Sequence, residues 1–298
     1  MNESGTLDPA RFRPRQRVFV GIDSDGCAFD TMEIKQKDFF HPAIIRHWGL
    51  ASIEPQVRAA AEFVYLYSVH RGLNRFLGLC KTFELLREWP EAADRAALPD
   101  PAPLRRWCDA GGPLDNASLL AEADRTDEPL LRQAGEWSAR LNAAIERDMP
   151  DPPPFPGVEE ALRRMTGRAD LVVVSQTQTH TLLNDWRRAG FDRLVDAVAG
   201  AEAGGKVDHF RQLAVGRYPR RAMLMIGDAP GDLATARAVG CAFYPILPGA
   251  EAESWKRFLD VDCERFFAEG LSDERQRELN EAFMARLPAE PPWTTGGA

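Results

Sequence analysis

The sequence has no CxxC pair and no HExxH, and its five cysteines (Cys27, Cys80, Cys108, Cys241 and Cys263) are odd in number and far apart. Those absences argue against a structural zinc site and a disulfide framework, and they suit a reducing compartment. No apolar run approaches the roughly 20 residues that span a bilayer. The first residues, Met-Asn-Glu-Ser-Gly-Thr-Leu-Asp-Pro, lack the apolar stretch of a signal peptide. A cytoplasmic protein without a membrane partner is therefore expected. Positive charge is scarce as well: 37 Lys and Arg stand against 45 Asp and Glu, a formal net charge of -8. Nucleic acids demand clustered cations, and the one dense basic run, Arg11 to Arg17, reads as a surface arm. No nucleic-acid partner is expected, although a focused pocket can still hold a small anion against the overall sign.

What is present is a chain of 298 residues, 44% hydrophobic and 28% charged, long enough for a sizeable core and about two domains. Residues 1–16 are polar and proline-interrupted, a loose arm. Val18-Phe19-Val20-Gly21-Ile22 then reads as a buried parallel strand that stops at Asp23-Ser24-Asp25-Gly26. From residue 33 to 150 no β-like run appears. Apolar spacing near 3.6 predicts helices at 54–69, 71–88, 116–125 and 129–147, interrupted by a proline-rich loop near 99–113. Pro150 to Gly157 is a stiff proline linker. Beyond it strands (171–174, 194–199, 222–226, 242–246) alternate with helices, as in a parallel sheet covered on both faces. The expected fold is α/β: a Rossmann-like parallel sheet core from residues 1–32 and 151–298, with an all-helical domain inserted at 33–150. Residues 250–298 add C-terminal helices to that core.

In open parallel sheets, ligands bind beyond the carboxyl ends of the strands. There this sequence places Asp23 and Asp25 after the first strand, Ser175 after the second, and Asp228 with Asp232 after a later one; Lys206 opens a helix between them. Each has an ordinary structural reading. DxDG also opens calcium loops, though here position 27 is Cys and no closing Glu follows. A serine after an apolar run is commonly structural, and no glycines flank Ser175 as in a nucleophile elbow. A lysine at a helix start is commonly solvated, and an Asp there is a common cap. Their conjunction, in this order, is what carries weight.

In that order the residues resemble the four motifs of the haloacid dehalogenase superfamily: Asp23-Ser24-Asp25-Gly26, Ser175, Lys206, and Gly227-Asp228-Ala229-Pro230-Gly231-Asp232. The helical insertion resembles that family's C1-type cap, and Phe155-Pro156-Gly157-Val158 its return into the core; the likeness runs from about residue 17 to 247. The resemblance implies a Mg²⁺-dependent phosphatase of a small phosphorylated metabolite. In it Asp23 is the nucleophile, and Asp25 protonates the leaving group and later activates water. It also implies that Ser175 and Lys206 hold phosphoryl oxygens. The side chains of Asp23 and Asp228 and the carbonyl of Asp25 would ligate the metal, supported by Asp232. Keeping a carboxylate at Asp25 implies phosphate esters, since dehalogenases lack one there and phosphonoacetaldehyde hydrolases replace it with Ala. Two departures from the pattern are Cys27, where Thr or Val is usual, and the Val207-Asp208-His209-Phe210 that follows Lys206, where the common pattern is Lys-Pro-x-Pro. A phosphomutase keeps the same residues and is the nearest alternative; an inactive regulatory homologue is a third.

The residue types suit phosphoryl transfer on their own account. A carboxylate can attack phosphorus and split the reaction into two steps, but anionic groups repel, so cations must balance them; Mg²⁺ prefers the hard oxygens that Asp offers. For the rest of the substrate, Arg71 and Arg75 one helical turn apart, with His70 and Asn74 alongside, could grip a second anionic group. Gln176 and Thr177, just after Ser175, are also candidates for substrate contact.

Overall fold

Phe19–Ile22 (β1) carries no charged side chain and is buried along its whole length, which suits the centre of a sheet. The computed structural model, which describes residues 12–294, pairs it on both sides in parallel. Val20 lies opposite Leu171 in Asp170–Val174 (β2) and opposite Leu224 in Met223–Gly227 (β4). Ala197–Ala199 (β3) adds outside β2 and Ala242–Pro245 (β5) outside β4, giving the order β3-β2-β1-β4-β5. The order reverses beside β1, so the crevice of the sheet opens at its carboxyl end. The chain divides into two units: the segments up to Met32 and Asp151–Arg286, and Glu33–Pro150 with the segment from Leu287 on.

The first unit is the α/β fold expected from the alternation. Helices Val158–Met165, Thr179–Arg188, Lys206–Leu213 and Pro230–Val239 follow the strands, and the core runs from Ile22 and Val173 to Trp186, Tyr244 and Trp255. Glycine at 21 is required by packing, because a Cβ there would lie 2.5 Å from the Phe210 ring. The edge strand β5 is covered by a side chain. The Gln276 carboxamide, on helix Asp273–Ala285, accepts from Phe243 N and donates to Phe243 O, both at 2.6 Å, in the manner of a neighbouring strand.

Residues 12–16 are not loose. The amides of Arg15 and Gln16 donate to the buried Asp170 carboxylate, which also accepts from Tyr218 Oη at 2.6 Å, and Phe12 packs edge-on against Phe19. Residues 1–11 of the arm expected over 1–16 lie outside the described residues.

The second unit is helical among its described residues, as the absence of β-like runs predicts. Three expectations change. Residues 99–113 are not a plain loop: Ala102–Asp109 is a helix with Pro103 in its first turn, where a missing N–H costs nothing. The helices expected at 54–69 and 71–88 are shorter, Glu54–Tyr65 and Arg75–Glu88, because Gly72 takes a φ of +80° and Asn74 caps the second. The tail from Leu287, expected in the core, belongs to this unit. Pro288 O accepts from Val69 N at 3.2 Å, and Trp293 stacks on Trp89 at 4.4 Å and 11° and meets Phe63 edge-on. Among the described residues no helix is long and apolar enough to cross a membrane.

Candidate active site

The sheet register places the site. Ile22 pairs with Val173 on one side and Ile226 on the other, so Asp23, Ser175 and Asp228 emerge side by side from β1, β2 and β4. Asp23 N still donates to Ile226 O at 2.9 Å, and Ser175 N to Ala199 O at 3.0 Å. The chain leaves β1 through a tight turn in which Gly26 adopts a φ of +77° and Ser24 O accepts from Ala28 N and Phe29 N. Trp186 Nε1 donates to Ser24 Oγ, and Trp255 Nε1 to Cys27 O, so the turn is held from two sides.

Asp23, Asp228 and Asp232 are all buried, and one oxygen of each lies within 4.8 Å of the others. Lys206 Nζ sits 2.6 Å from Asp23 Oδ2 and 2.5 Å from Asp232 Oδ1. The other Asp232 oxygen accepts from the amides of Asp228 (3.1 Å) and Ala229 (3.0 Å), fastening the loop after β4 to the start of helix Pro230–Val239. Gly227 leaves room for this, since a Cβ there would lie 2.4 Å from Asp232 Cγ.

Burial pushes the Asp23 carboxyl well above the usual range; Asp232 and Asp228 push the same way, and Lys206 opposes them. For Lys206, burial alone would favour the neutral amine, but the Asp23 and Asp232 carboxylates more than offset it and hold the ammonium above the ordinary lysine range. Three carboxyl groups thus face one ammonium. Closely spaced, buried, hard oxygen donors with an excess of negative charge suit Mg²⁺.

Asp25 is oriented by hydroxyls. Thr31 Oγ1 donates to its Oδ1 and Thr177 Oγ1 to its Oδ2, both at 2.7 Å. Thr31 was not singled out in the sequence; its one signal is its place at the start of the helix Thr31–Ile34, just after the Asp23 turn. Thr177 N also donates to Ser175 Oγ at 3.2 Å, whereas Gln176 is exposed and reaches Gly204 O only at 3.4 Å.

The predicted anion-gripping face at 70–75 does not form. Arg71 lies in a turn, 4% exposed, and donates to Leu66 O at 2.8 Å. Asn74 caps helix Arg75–Glu88, accepting from Phe76 N and donating to Leu114 O. Arg75 donates to Ser138 Oγ and Asn142 Oδ1 and lies over the Phe40 ring. A helical face requires the same helix to run through both arginines, and the turn at Gly72 prevents it.

No protein-family model and no curated protein sequence matches the chain. Among the solved structures it is similar to are hydrolases described as haloacid dehalogenase-like and phosphatases described as acting on phosphoglycolate. A predicted phosphoglycolate phosphatase from Haemophilus somnus shares 14% identity, with 82% of this chain and 96% of that one covered and a TM-score of 0.48. A haloacid dehalogenase-like hydrolase from Xanthomonas campestris shares 15%, covering 85% and 96%, at 0.42. A HAD hydrolase from Bacillus subtilis, solved with magnesium bound, shares 13%, covering 83% and 100%, at 0.44.

Proposed function

We propose that the chain hydrolyses small phosphate monoesters with Mg²⁺, through an aspartyl-phosphate formed on Asp23. The observation that carries the reading is the contact of Lys206 with both Asp23 and Asp232, in a buried cluster of three carboxylates at the end of the central strand. Asp23, Asp228 and Asp232 would hold or support the metal. When bound, it supplies charge neutralisation that lets an anionic ester approach an anionic nucleophile.

The chain's own residues supply the rest. Lys206 keeps its proton beside Asp23 and pairs with phosphoryl oxygens, together with Ser175. Asp23 attacks phosphorus and the ester P–O bond breaks, its oxygen taking a proton from Asp25. Asp25, now a carboxylate, takes a proton from water as that water attacks phosphorus, releasing phosphate and restoring Asp23. The two threonine hydroxyls suit both stages, because a hydroxyl can donate to a carboxylate or accept from a carboxylic acid.

A screen of phosphate monoesters with and without Mg²⁺, alongside Asp23→Asn, tests this. Metal-dependent turnover that is lost in Asp23→Asn is expected. Metal-independent turnover, or full activity in the variant, overturns the mechanism.

A further inference from the structure

The loops after β2 and β3 run side by side, and the sequence closes them onto each other. Ala201 N donates to Thr177 O at 3.0 Å, and Gly200 is required at the contact, since a Cβ there would lie 2.5 Å from Thr179 Oγ1 and 2.7 Å from Thr177 O. Helix Thr179–Arg188 begins without a side-chain cap of its own. Its start is served from the neighbouring loop: Glu202 accepts from Thr179 N at 3.0 Å and from Thr179 Oγ1 at 2.7 Å. The hydroxyl contact, with the Thr179 amide, holds the Glu202 carboxyl below its usual range. On the far side His209, one turn beyond Lys206, places Nε2 3.1 Å from Gly200 O. Burial, with Lys206 adding to it, holds that ring below the usual histidine range, so a neutral imidazole donates there.

The stretch Gly200 to Glu202 is thus held from two sides, by His209 on the Lys206 helix and by Thr177 and Thr179 in the segment that carries Ser175. Glu202 is exposed, and exposed charge-assisted contacts contribute little to global stability.

We infer that Glu202 is a positioning residue: through Thr179 it sets the separation of Ser175 from Lys206 and hence the fit of a phosphoryl group between them. This rests on the reading of Ser175 and Lys206 as the phosphoryl-holding pair. Glu202 touches neither residue and acts only through the two loops.

The test is calorimetric binding of inorganic phosphate, in the presence of Mg²⁺, to the full chain and to Glu202→Ala, Thr179→Ala, Thr179→Ser and the double alanine variant. Glu202→Ala should weaken phosphate about tenfold, the scale on which oriented groups respond to displacements below an ångström. Thr179→Ser should bind like the wild type, and the double variant no more weakly than Glu202→Ala alone. Magnesium affinity measured without phosphate should stay unchanged, because the carboxylate cluster stands on other strands, and the unfolding midpoint should move by no more than about 2 °C. Unchanged phosphate affinity in Glu202→Ala, equal weakening of phosphate and magnesium, or no phosphate binding by the wild type overturns the inference. Ester turnover is read separately. A wild type that binds phosphate without hydrolysing esters overturns the hydrolase reading, while the positioning role still stands or falls on the affinity ratio.

Discussion

Lys206 Nζ stands 2.6 Å from Asp23 Oδ2, and the same ammonium reaches Asp232 Oδ1 at 2.5 Å. One cation thereby ties the end of β1 to the first turn of helix Pro230–Val239. Removing one partner of a buried ion pair costs about 3–5 kcal/mol. Lys206→Met should lower the unfolding midpoint in metal-free buffer, and millimolar Mg²⁺ should raise it by more than it raises the wild type, because the dication replaces the missing charge. Turnover should fall by roughly 10²–10³. Thermal melts with and without Mg²⁺ check the first part, and an equal metal response in both proteins contradicts it.

Gly227 is where backbone and carboxylate come closest. A methyl group there must displace Asp232, whose Cγ would lie 2.4 Å away, and with it the hydrogen bonds to Asp228 N and Ala229 N. Gly227→Ala is expected to cost about 1–3 kcal/mol through overpacking and to weaken magnesium binding. Gly231→Ala, where a Cβ meets nothing within 4 Å, serves as the control. Urea unfolding and metal titration of the pair check this.

Asp25 takes a hydroxyl on each oxygen, from Thr31 and Thr177. Thr31→Val and Thr177→Val should each lower turnover about tenfold, within the range that general acid–base catalysis supplies. The loss should be larger for an alkyl phosphate, whose leaving oxygen needs a proton, than for a nitrophenyl phosphate, whose leaving group does not. Equal losses on both substrates would remove Asp25 orientation as the cause.

His41 is 1% exposed, its Nε2 has no hydrogen-bond partner, and burial, reinforced by Arg58 and Lys37, pushes its pKa down to about 4. The folded value lies below the unfolded one, so the unfolded chain binds more protons between the two. Stability is complete above about 6.5 and is lost as pH falls towards 4, by up to roughly 3 kcal/mol. Urea unfolding at pH 7 and pH 4.5 should show this loss in the wild type and a smaller one in His41→Gln; the same loss in both would contradict it.

Much of the site could be read from the order of apolar runs and the polar residues that end them, because a parallel sheet delivers strand ends to one edge. That logic located Asp23, Ser175 and Asp228, which the register then sets side by side. It could not locate Thr31, whose contact with Asp25 depends on how the chain turns after Gly26. Nor could it find Glu202, an ordinary exposed acid in sequence. Helical spacing puts Arg71 and Arg75 on one face only if a single helix runs through Gly72, and its φ of +80° breaks that helix. The asparagine that looked like a ligand group is the cap that starts the next helix. Periodicity reports which face of a helix is apolar; it says less about where a helix begins.

The stacking of Trp293 on Trp89 bears on how such a chain can be taken apart. The helical unit is drawn from two stretches, Glu33–Pro150 and the tail from Leu287, so it is not a cassette. A transplant cut at 33 and 150 would leave Trp89 and Phe63 without the ring that covers them and Val69 N without Pro288 O. Shuffling helical units between relatives of this chain therefore has to move the last residues together with the insertion.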